Sequence, residues 1–418
     1  MKRTNRYLIQ STLSTVLLTA FAVSGNASLY WQQINIPGLP TGATLSPIWE
    51  RNPSEVYVWA QPTNSTSATL YHWDGTNWTT AISVTGQTPA AVFGVGSAEV
   101  FAAATTSMWR STDNGKTWGV QSTPLPSNYS FNKISGTSSN VQVRAYSTTG
   151  SALGYLYRFD GSSWSTVYSG SLYGAGPFTL DVIAPNEGYF VTCWGWGAWN
   201  GSSWSTVDQG FDFCDIYDTW AMRDAGGNLH WWAVGNNNFA NGIRIWCFNT
   251  ATMSFGCKTC YCYGDGNTQY TGSAYGIWGS STNDVYVIGD LAPVAYGQRA
   301  GRVYHYDGSN WSQVTSVGNI QPGPLGIWGT SSNDVWIAGN NGVLLHSLQL
   351  AAMDIHMYAG LSISGSIGAT YEVQYSTKVN TNNWQPLADI VLPTSPYLFF
   401  DTNSPSAPQR FYRAVLMP

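Results

Sequence analysis

Histidine is the side chain best suited to act as a base near neutral pH, and this sequence has five histidines. His72, His305 and His346 occupy the same position of a repeated segment, and Arg158 takes that position in another copy. A residue type that recurs in successive repeats is a feature of the repeat, so we do not expect these histidines to be catalytic. We also identify no HExxH motif, no phosphate-binding glycine loop and no nucleophile elbow. We therefore expect no catalytic residue, no cofactor and no resident metal ion.

The six cysteines are the next residues with reactive side chains. Cys247 and Cys257 flank a segment that is typical of a hairpin loop, so we predict a disulfide between them. Four cysteines remain, and their pairing is open: Cys193, Cys214, Cys260 and Cys262. The CKTCYC segment could instead contribute to a zinc site, but it lacks a second CxxC and a nearby histidine.

Aromatic residues concentrate in two segments, Cys193–Trp199 and Cys260–Gly276, where they alternate with glycine and short polar residues. Aromatic faces beside polar side chains suit sugar rings, which have both apolar C–H surfaces and hydroxyl groups. The alternative is that these rings fill space between neighbouring sheets. The ligand-binding candidates are Trp194, Trp196, Tyr261, Tyr263, Asp265 and Tyr270.

Acidic residues recur just before an apolar strand in several repeats: Glu55, Glu99, Asp284 and Asp334. Asp at such turns often accepts hydrogen bonds from local backbone N–H groups, and turn capping is our preferred interpretation. The alternative is a ring of carboxylates that binds Ca²⁺ or a cationic ligand.

The repeat is clearest in Gly276–Asp290 and Gly326–Asn340, which read GIWGSSTNDVYVIGD and GIWGTSSNDVWIAGN. Degenerate copies begin near Ile48, Val92, Lys133, Asp181 and Trp220. A second pattern follows most copies, with Asp-Gly or Asn-Gly before a tryptophan, as in YHWDGTNWTT from Tyr71. Together they predict four antiparallel strands with a tight turn before the last, which is the blade of a β-propeller. About seven copies predict seven blades.

The last copy stops before its fourth strand, and Ser28–Ile36 (SLYWQQINI) has the pattern of the missing strand. We therefore predict that the N-terminal strand completes the last blade, which removes an exposed sheet edge. The predicted fold is all-β: a seven-bladed β-propeller over residues 28–350, closed by its N-terminal strand, and a C-terminal β-sandwich over residues 351–418.

Composition agrees with an all-β chain. Only 9% of residues are charged, against about 25% in ordinary soluble domains, and aromatics make up 15%. The formal net charge of −5 argues against a nucleic-acid partner, which would require a basic surface.

The N-terminus has the pattern of an export signal. Lys2, Arg3 and Arg6 precede an apolar run from Leu13 to Val23, which is shorter than a membrane-spanning helix needs. We predict a signal peptide over residues 1–27 and a mature protein without a membrane span that is secreted, periplasmic or at the cell surface. That compartment favours oxidised cysteines.

Two sets of motifs resemble known families. The repeats with the form WGSSxNDVW and YDGSxW resemble bacterial secreted seven-bladed propellers of the Asp-box (BNR-like) type, from Ser28 to Leu350. The segment STDNGKTW resembles the Asp box of sialidase-like propellers, through Ser111, Asp113, Gly115, Thr117 and Trp118. The last 60 or so residues resemble modules appended to secreted bacterial proteins. These motifs indicate architecture, whereas function resides in sites added to it.

A sialidase-like glycoside hydrolase needs three converging arginines, a tyrosine nucleophile with a glutamate, and an aspartic acid. The sequence has no Arg-Ile-Pro near the start of the domain and only one clear Asp box. We therefore expect a monomeric, non-catalytic protein that binds polysaccharide or a protein partner. The alternatives are a sialidase-like hydrolase and a structural or assembly-factor propeller.

Overall fold

A computed structural model describes residues 29–149, 153–170, 178–192, 195–208, 216–236, 243–249, 254–256, 270–293, 300–318, 320, 323–349, 358–378, 383–404 and 409–417. The predicted signal peptide lies outside these residues. The chain divides into two compact units, Met1–Leu350 and Ala351–Pro418. Regular structure in the described residues is β-strand, apart from two short 3-10 turns at Thr315–Val317 and Asn340–Gly342.

The strands of the larger unit are β1 (Leu29–Gln33), β2 (Thr44–Asn52), β3 (Glu55–Gln61), β4 (Ala68–Trp73), β5 (Trp78–Val84), β6 (Pro89–Val95), β7 (Glu99–Ala104), β8 (Met108–Ser111), β9 (Gly119–Gln121), β10 (Tyr129–Thr137), β11 (Asn140–Ser147), β12 (Gly154–Phe159), β13 (Trp164–Gly170), β14 (Asp181–Ala184), β15 (Glu187–Val191), β16 (Gly195–Trp199), β17 (Trp204–Asp208), β18 (Ile216–Arg223), β19 (Leu229–Asn236), β20 (Ile243–Asn249), β21 (Ser254–Gly256), β22 (Tyr270–Ser281), β23 (Asp284–Pro293), β24 (Ala300–Tyr306), β25 (Trp311–Gln313), β26 (Pro324–Ser331), β27 (Asp334–Gly339) and β28 (Leu344–Gln349).

Consecutive strands form antiparallel four-stranded sheets. Four sheets have the orders β2-β3-β4-β5, β6-β7-β8-β9, β10-β11-β12-β13 and β14-β15-β16-β17. Strands β18 to β25 repeat this arrangement twice, and a pair between Asn236 and Ser273 joins the two groups into one eight-stranded sheet. The first strands of successive groups contact one another in a closed circle: β2, β6, β10, β14, β18, β22 and β26.

The N-terminal strand completes the last sheet, whose order is β1-β28-β27-β26. Leu29 pairs with Gln349 and Gln33 pairs with Leu345, in an antiparallel register. The predicted pairing of this strand with the last repeat is confirmed. Trp31 anchors the strand, because its side chain is 6% exposed and packs in the core between the last two strand groups.

The Asp-Gly and Asn-Gly turns before the last strand of a group have the predicted geometry. At Asp74 the carboxylate accepts hydrogen bonds from the backbone N–H groups of Thr76 and Asn77, at 2.8 and 2.7 Å. Gly75 has a φ of +90°, which an L residue rarely adopts. The equivalent glycines also have positive φ: Gly161, Gly201 and Gly308. This local chemistry sets the tight reversal into the next strand.

The second unit contains five strands: β29 (Ala359–Ile363), β30 (Thr370–Ser376), β31 (Gln385–Val391), β32 (Tyr397–Asp401) and β33 (Phe411–Leu416). They form a two-stranded sheet, β29-β32, and a three-stranded sheet, β31-β30-β33. Ile363, Val373 and Leu392 form the buried core of this unit.

Candidate ligand-binding site in the central cavity

The first strands of all the groups surround one cavity, which we call the central cavity. Its volume is about 330 Å³, and residues of β2, β6, β10, β14, β18, β22 and β26 line it. A cavity of this size is at the lower end of the range for small-ligand pockets. Its lining has an apolar part and a charged part.

Aromatic rings form an apolar part of the lining. Phe93 and Trp328 meet edge to face with ring centroids 5.6 Å apart, and Trp220 meets Trp328 in the same way at 5.7 Å. The Trp328 Nε1–H donates to the backbone carbonyl of Glu50 at 3.0 Å, which fixes the orientation of the indole. These rings come from β6, β18 and β26, so they connect strand groups that are distant in sequence.

Three charged side chains form the polar part of the same lining: Lys133, Asp181 and Asp218. The Lys133 Nζ lies 2.5 Å from Asp218 Oδ1 and 3.6 Å from Asp181 Oδ1, and it also donates to the Thr219 carbonyl at 3.4 Å. Asp218 Oδ2 accepts the backbone N–H of Ile277 at 3.2 Å. We call these three side chains the charged triad.

Burial and charge shift the titration of the triad. Burial raises the pKa of Asp181 to about 6, although Lys133 opposes this shift. Burial alone would lower the pKa of Lys133, but the neighbouring Asp218 and Asp181 carboxylates outweigh it and raise that pKa. Lys133 is therefore charged at neutral pH, and Asp181 loses its charge in mildly acidic solution.

Two tyrosines form a pair in the lining. The rings of Tyr217 and Tyr275 stack with centroids 5.9 Å apart and planes 18° apart. The Tyr275 hydroxyl donates to Asp290 Oδ2 at 3.2 Å, and Asp290 is buried. Tyr217 is 47% exposed, so this aromatic surface is accessible to a ligand. A cavity with apolar rings, an accessible tyrosine and a few fixed charges has the composition of a binding site.

These residues were not among the candidates predicted from the sequence, although the repeat contains a signal for two of them. Ala91, Lys133, Asp181, Gly276 and Gly326 each directly precede the first apolar residue of their repeat copy. Three of the five positions carry a small residue, whereas β10 and β14 carry a charge. Comparison of the repeats position by position would have separated Lys133 and Asp181 from the scaffold.

The ligand-binding candidates from the sequence are placed differently. Trp194, Tyr261, Tyr263 and Asp265 lie outside the described residues, and Tyr270 is the first residue of β22.

Trp196 is 4% exposed and packs edge to face on Trp231 and Phe248, with centroids 6.2 and 5.3 Å apart. Its segment is strand β16 and not an exposed loop, because Gly197 leaves room for the ring of Phe190. A Cβ at Gly197 would lie 2.3 Å from Phe190 Cζ. A ring this well covered has no free face for a ligand.

The cysteines fall mostly outside the described residues: Cys193, Cys214, Cys257, Cys260 and Cys262. Cys247 is disulfide-bonded. Its neighbour in the β20–β21 hairpin is Gly256, directly before Cys257. The pairing of Cys247 with Cys257 stays a prediction. No cluster of three metal-binding side chains occurs within the described part of the chain.

Our preferred interpretation of the recurring acids was turn capping, but their carboxylates contact side chains of neighbouring strands instead. Asp284 Oδ1 lies 2.6 Å from His305 Nε2, and Asp334 Oδ1 lies 2.7 Å from His346 Nε2. Glu55 and Glu99 instead pair with arginines, Arg51 and Arg110. These carboxylates are therefore engaged by side chains of the adjacent strand.

The recurring histidines share one structural position, as the sequence predicted. His72 stacks on Tyr57, His305 on Tyr286 and His346 on Trp336, with ring centroids 4.3, 4.4 and 4.0 Å apart. In all three cases the partner is the directly paired residue of the adjacent strand. This recurrence supports a role in packing.

The segment Ser111–Trp118 forms a compact turn between β8 and β9. Asp113 accepts hydrogen bonds from the backbone and the hydroxyl of Thr117, at 2.9 and 2.6 Å, and the Trp118 indole donates to the Gly115 carbonyl at 3.0 Å. Ser111 Oγ accepts the N–H of Gly115 at 2.9 Å. The polar side chains of the motif make these hydrogen bonds within the turn, which supports the predicted structural role.

Comparison with known proteins shows the fold. No family model matches the chain, and no curated protein matches it. The structure of YCF48 bound to D1 peptide is similar, with 18% identity, a TM-score of 0.53, and 80% of this chain and 99% of that chain covered.

Two further structures are similar. YCF48 from Cyanidioschyzon merolae has 14% identity and a TM-score of 0.53, with 76% of this chain and 98% of that one covered. The extracellular domain of BT4673 from B. thetaiotaomicron has 10% identity and a TM-score of 0.51, with 82% of this chain but 43% of that one covered. These are β-propellers, and the chain described here shares their fold. None of its described residues forms a helix long and apolar enough to cross a membrane.

Proposed function

We propose that this protein is an exported, non-catalytic β-propeller that binds polysaccharide or a partner protein in its central cavity. The observation that carries the proposal is the charged triad beside an accessible tyrosine pair. Buried charges are expensive to maintain in a fold, and structural packing alone would favour the small residues found at equivalent positions. We infer that Lys133, Asp181 and Asp218 serve ligand binding.

The same proposal includes seven blades, closure by the N-terminal strand and a C-terminal β-sandwich. The circle of inner strands and the pairing of β1 with β28 support the first two. Two small sheets with a shared core support the third. Export is supported by the N-terminal signal pattern and by the likeness to an extracellular domain.

The sialidase-like alternative receives little support from the cavity. Its chemistry needs three arginines around the substrate carboxylate. The described residues that line the cavity include Lys133 but no arginine. Asp181 is a poor candidate for a catalytic acid, because its side chain is 7% exposed and its Oδ2 accepts the Trp231 indole N–H at 3.2 Å.

A partner protein is as well supported as a polysaccharide. One similar propeller is bound to a peptide, which indicates that this architecture accommodates a protein segment. The tyrosine pair suits either a sugar ring or an aliphatic or basic side chain.

The test is to screen the mature protein on a glycan array and on an array of tiled peptides, with aryl glycosides as hydrolysis substrates. We expect binding without turnover, and loss of that binding in Tyr217→Ala. The matched control is Tyr30→Ala, because Tyr30 is 52% exposed on β1 and does not line the cavity. Binding that persists in Tyr217→Ala would place the site elsewhere, and hydrolysis of an aryl glycoside would contradict a non-catalytic role.

A further inference from the structure

We infer that the group entering the central cavity is a cation, namely the side chain of a lysine or arginine from a partner protein. This inference rests on the proposed function and defines its ligand. It follows from the hydrogen-bonding capacity, the charge and the apolar surface of the cavity.

The Lys133 ammonium is already engaged by its neighbours. A lysine ammonium has three N–H donors. Those of Lys133 face Asp218 Oδ1, Asp181 Oδ1 and the Thr219 carbonyl, at 2.5, 3.6 and 3.4 Å. An anionic ligand would have to approach Asp218 and Asp181 to reach Lys133 and would compete with both carboxylates for its ammonium.

The carboxylates of the triad can accept further hydrogen bonds. A carboxylate has about four acceptor positions. Asp218 accepts one hydrogen bond at each oxygen, from Lys133 and from the backbone of Ile277. Its side chain is 22% exposed, against 7% for Asp181, so Asp218 is the carboxylate that a ligand can reach. The cavity can therefore accept further hydrogen bonds from donor groups of a ligand.

The net charge of the cavity also favours a cationic ligand. Among its described lining residues, Asp181 and Asp218 carry two negative charges and Lys133 carries one positive charge, which leaves one negative charge in excess. Because field lines are focused in a cavity with apolar walls, this excess attracts a cation and repels an anion.

Aromatic and aliphatic surfaces complete the fit. The exposed face of Tyr217 can contact a cation through its ring, and the indoles of Trp220 and Trp328 can contact an alkyl stem. Lysine and arginine carry their charge at the end of such a stem. An amino sugar carries its ammonium directly on the ring and has no such stem.

The test uses small probes and the tryptophans of the mature protein as fluorescence reporters. The cationic probes are the Nα-acetyl methylamides of lysine and arginine. The comparison probes are the corresponding norleucine and glutamate derivatives and glucosamine. We expect the lysine and arginine probes to bind most tightly and Asp218→Asn to weaken them about tenfold or more. The matched control is Asp389→Asn, an exposed aspartate in the second unit.

Asp218→Asn also removes a partner of Lys133, so chemical unfolding must show that the variant folds. Tyr217→Ala is the second variant, and it should weaken the same probes while leaving the triad intact. Tighter binding of the norleucine or glutamate probe would contradict a cationic ligand. Tighter binding of glucosamine would contradict a protein side chain as the ligand.

Failure of this inference is distinguishable from failure of the proposed function. If no probe binds but binding of the ligand found on the glycan or peptide array still depends on Tyr217, the inference of a cationic ligand is wrong and the cavity remains the site. If the array ligand is also indifferent to Tyr217→Ala, the proposed function itself is wrong.

Discussion

Lys133 of β10 and Asp218 of β18 form an ion pair across the central cavity, with Nζ 2.5 Å from Oδ1. The strand β14 lies between them in the circle of inner strands and contributes Asp181 to the same ammonium. A single lysine thus connects three successive strand groups. Since both carboxylates are largely buried, the stability of this part of the fold depends on that one positive charge.

Replacement of Lys133 by methionine should therefore destabilise the fold. The change keeps much of the side-chain volume but leaves Asp181 and Asp218 without their cation. We expect a loss of about 3–5 kcal/mol in the free energy of unfolding, measured with urea. Lys116→Met is the control, because Lys116 is exposed in the turn after β8 and should change stability by less than about 0.5 kcal/mol. Equal effects of the two changes would contradict the role of the triad.

Binding of a cationic ligand should weaken in mildly acidic solution. The Asp181 carboxyl faces Lys133 of β10, Asp218 of β18 and Trp231 of β19, and its pKa is raised to about 6. Below that pH it gains a proton, and the excess negative charge of the cavity is lost. We expect the affinity for the lysine probe to fall between pH 7 and pH 5, measured by titration at constant ionic strength. Asp181→Asn should bind more weakly at pH 7 and lack this change, and stronger binding at pH 5 would reverse the assigned sign.

Glu50 is buried on β2, with 2% of its surface exposed, and neither carboxyl oxygen makes a hydrogen bond of normal geometry. Burial, together with the Asp334 charge, raises the pKa of Glu50 from 4.5 to about 9. The folded protein therefore holds a proton that the unfolded chain releases, and stability declines as pH rises from about 4.5 to 9.

We expect Glu50→Gln to increase the free energy of unfolding by about 2–3 kcal/mol at pH 7 and to remove most of this decline. Urea unfolding at several pH values checks both. Glu372→Gln, at a partly exposed position in the second unit, should show neither effect. An unchanged pH profile in Glu50→Gln would mean that Glu50 is ionised in the folded protein.

Gly115 and Gly86 provide a matched test of the turn before β9. Both have positive φ, +71° and +77°. A Cβ at Gly115 would lie 2.4 Å from the Tyr57 hydroxyl, whereas nothing lies within 4 Å of a Cβ at Gly86. Gly86→Ala should cost about 1 kcal/mol for its backbone conformation alone. Gly115→Ala should cost about 2–4 kcal/mol, because the Tyr57 ring must also move. Thermal unfolding of both variants measures the difference.

Trp31 and Tyr30 test the N-terminal strand. Trp31 is 6% exposed and packs edge to face on Tyr286, whereas its neighbour Tyr30 is 52% exposed. Trp31→Ala should lower the free energy of unfolding by about 3–5 kcal/mol through the cavity it leaves. Tyr30→Ala should change it by less than about 1 kcal/mol. Similar small losses in both variants would show that β1 contributes little to the last sheet.

The repeat predicted much of the fold, because its determinants are local. Asp74 and Gly75 specify their turn through hydrogen bonds and φ values within four residues, so the pattern alone identifies the hairpin. The pairing of β1 with β28 was predictable because a strand was missing at one end of the pattern and present at the other.

The candidate site was less predictable, since its residues meet only when separate inner strands assemble. Tyr217 and Asp218 lie where the pairing of β18 with β19 shifts register, which the sequence does not reveal. The exposure of Trp196 was difficult to predict for a related reason. Its neighbouring glycines suggested an exposed loop, but Gly197 makes room for Phe190 within a packed sheet.

The pairing of β1 with β28 also orders events on the nascent chain. Leu29–Gln33 is synthesised before every other strand described here, yet its partner, Leu344–Gln349, is the last strand of the larger unit to be made. Until β28 has been made, β1 therefore lacks its partner strand. This four-stranded sheet can therefore be completed only when nearly the whole larger unit has been translated.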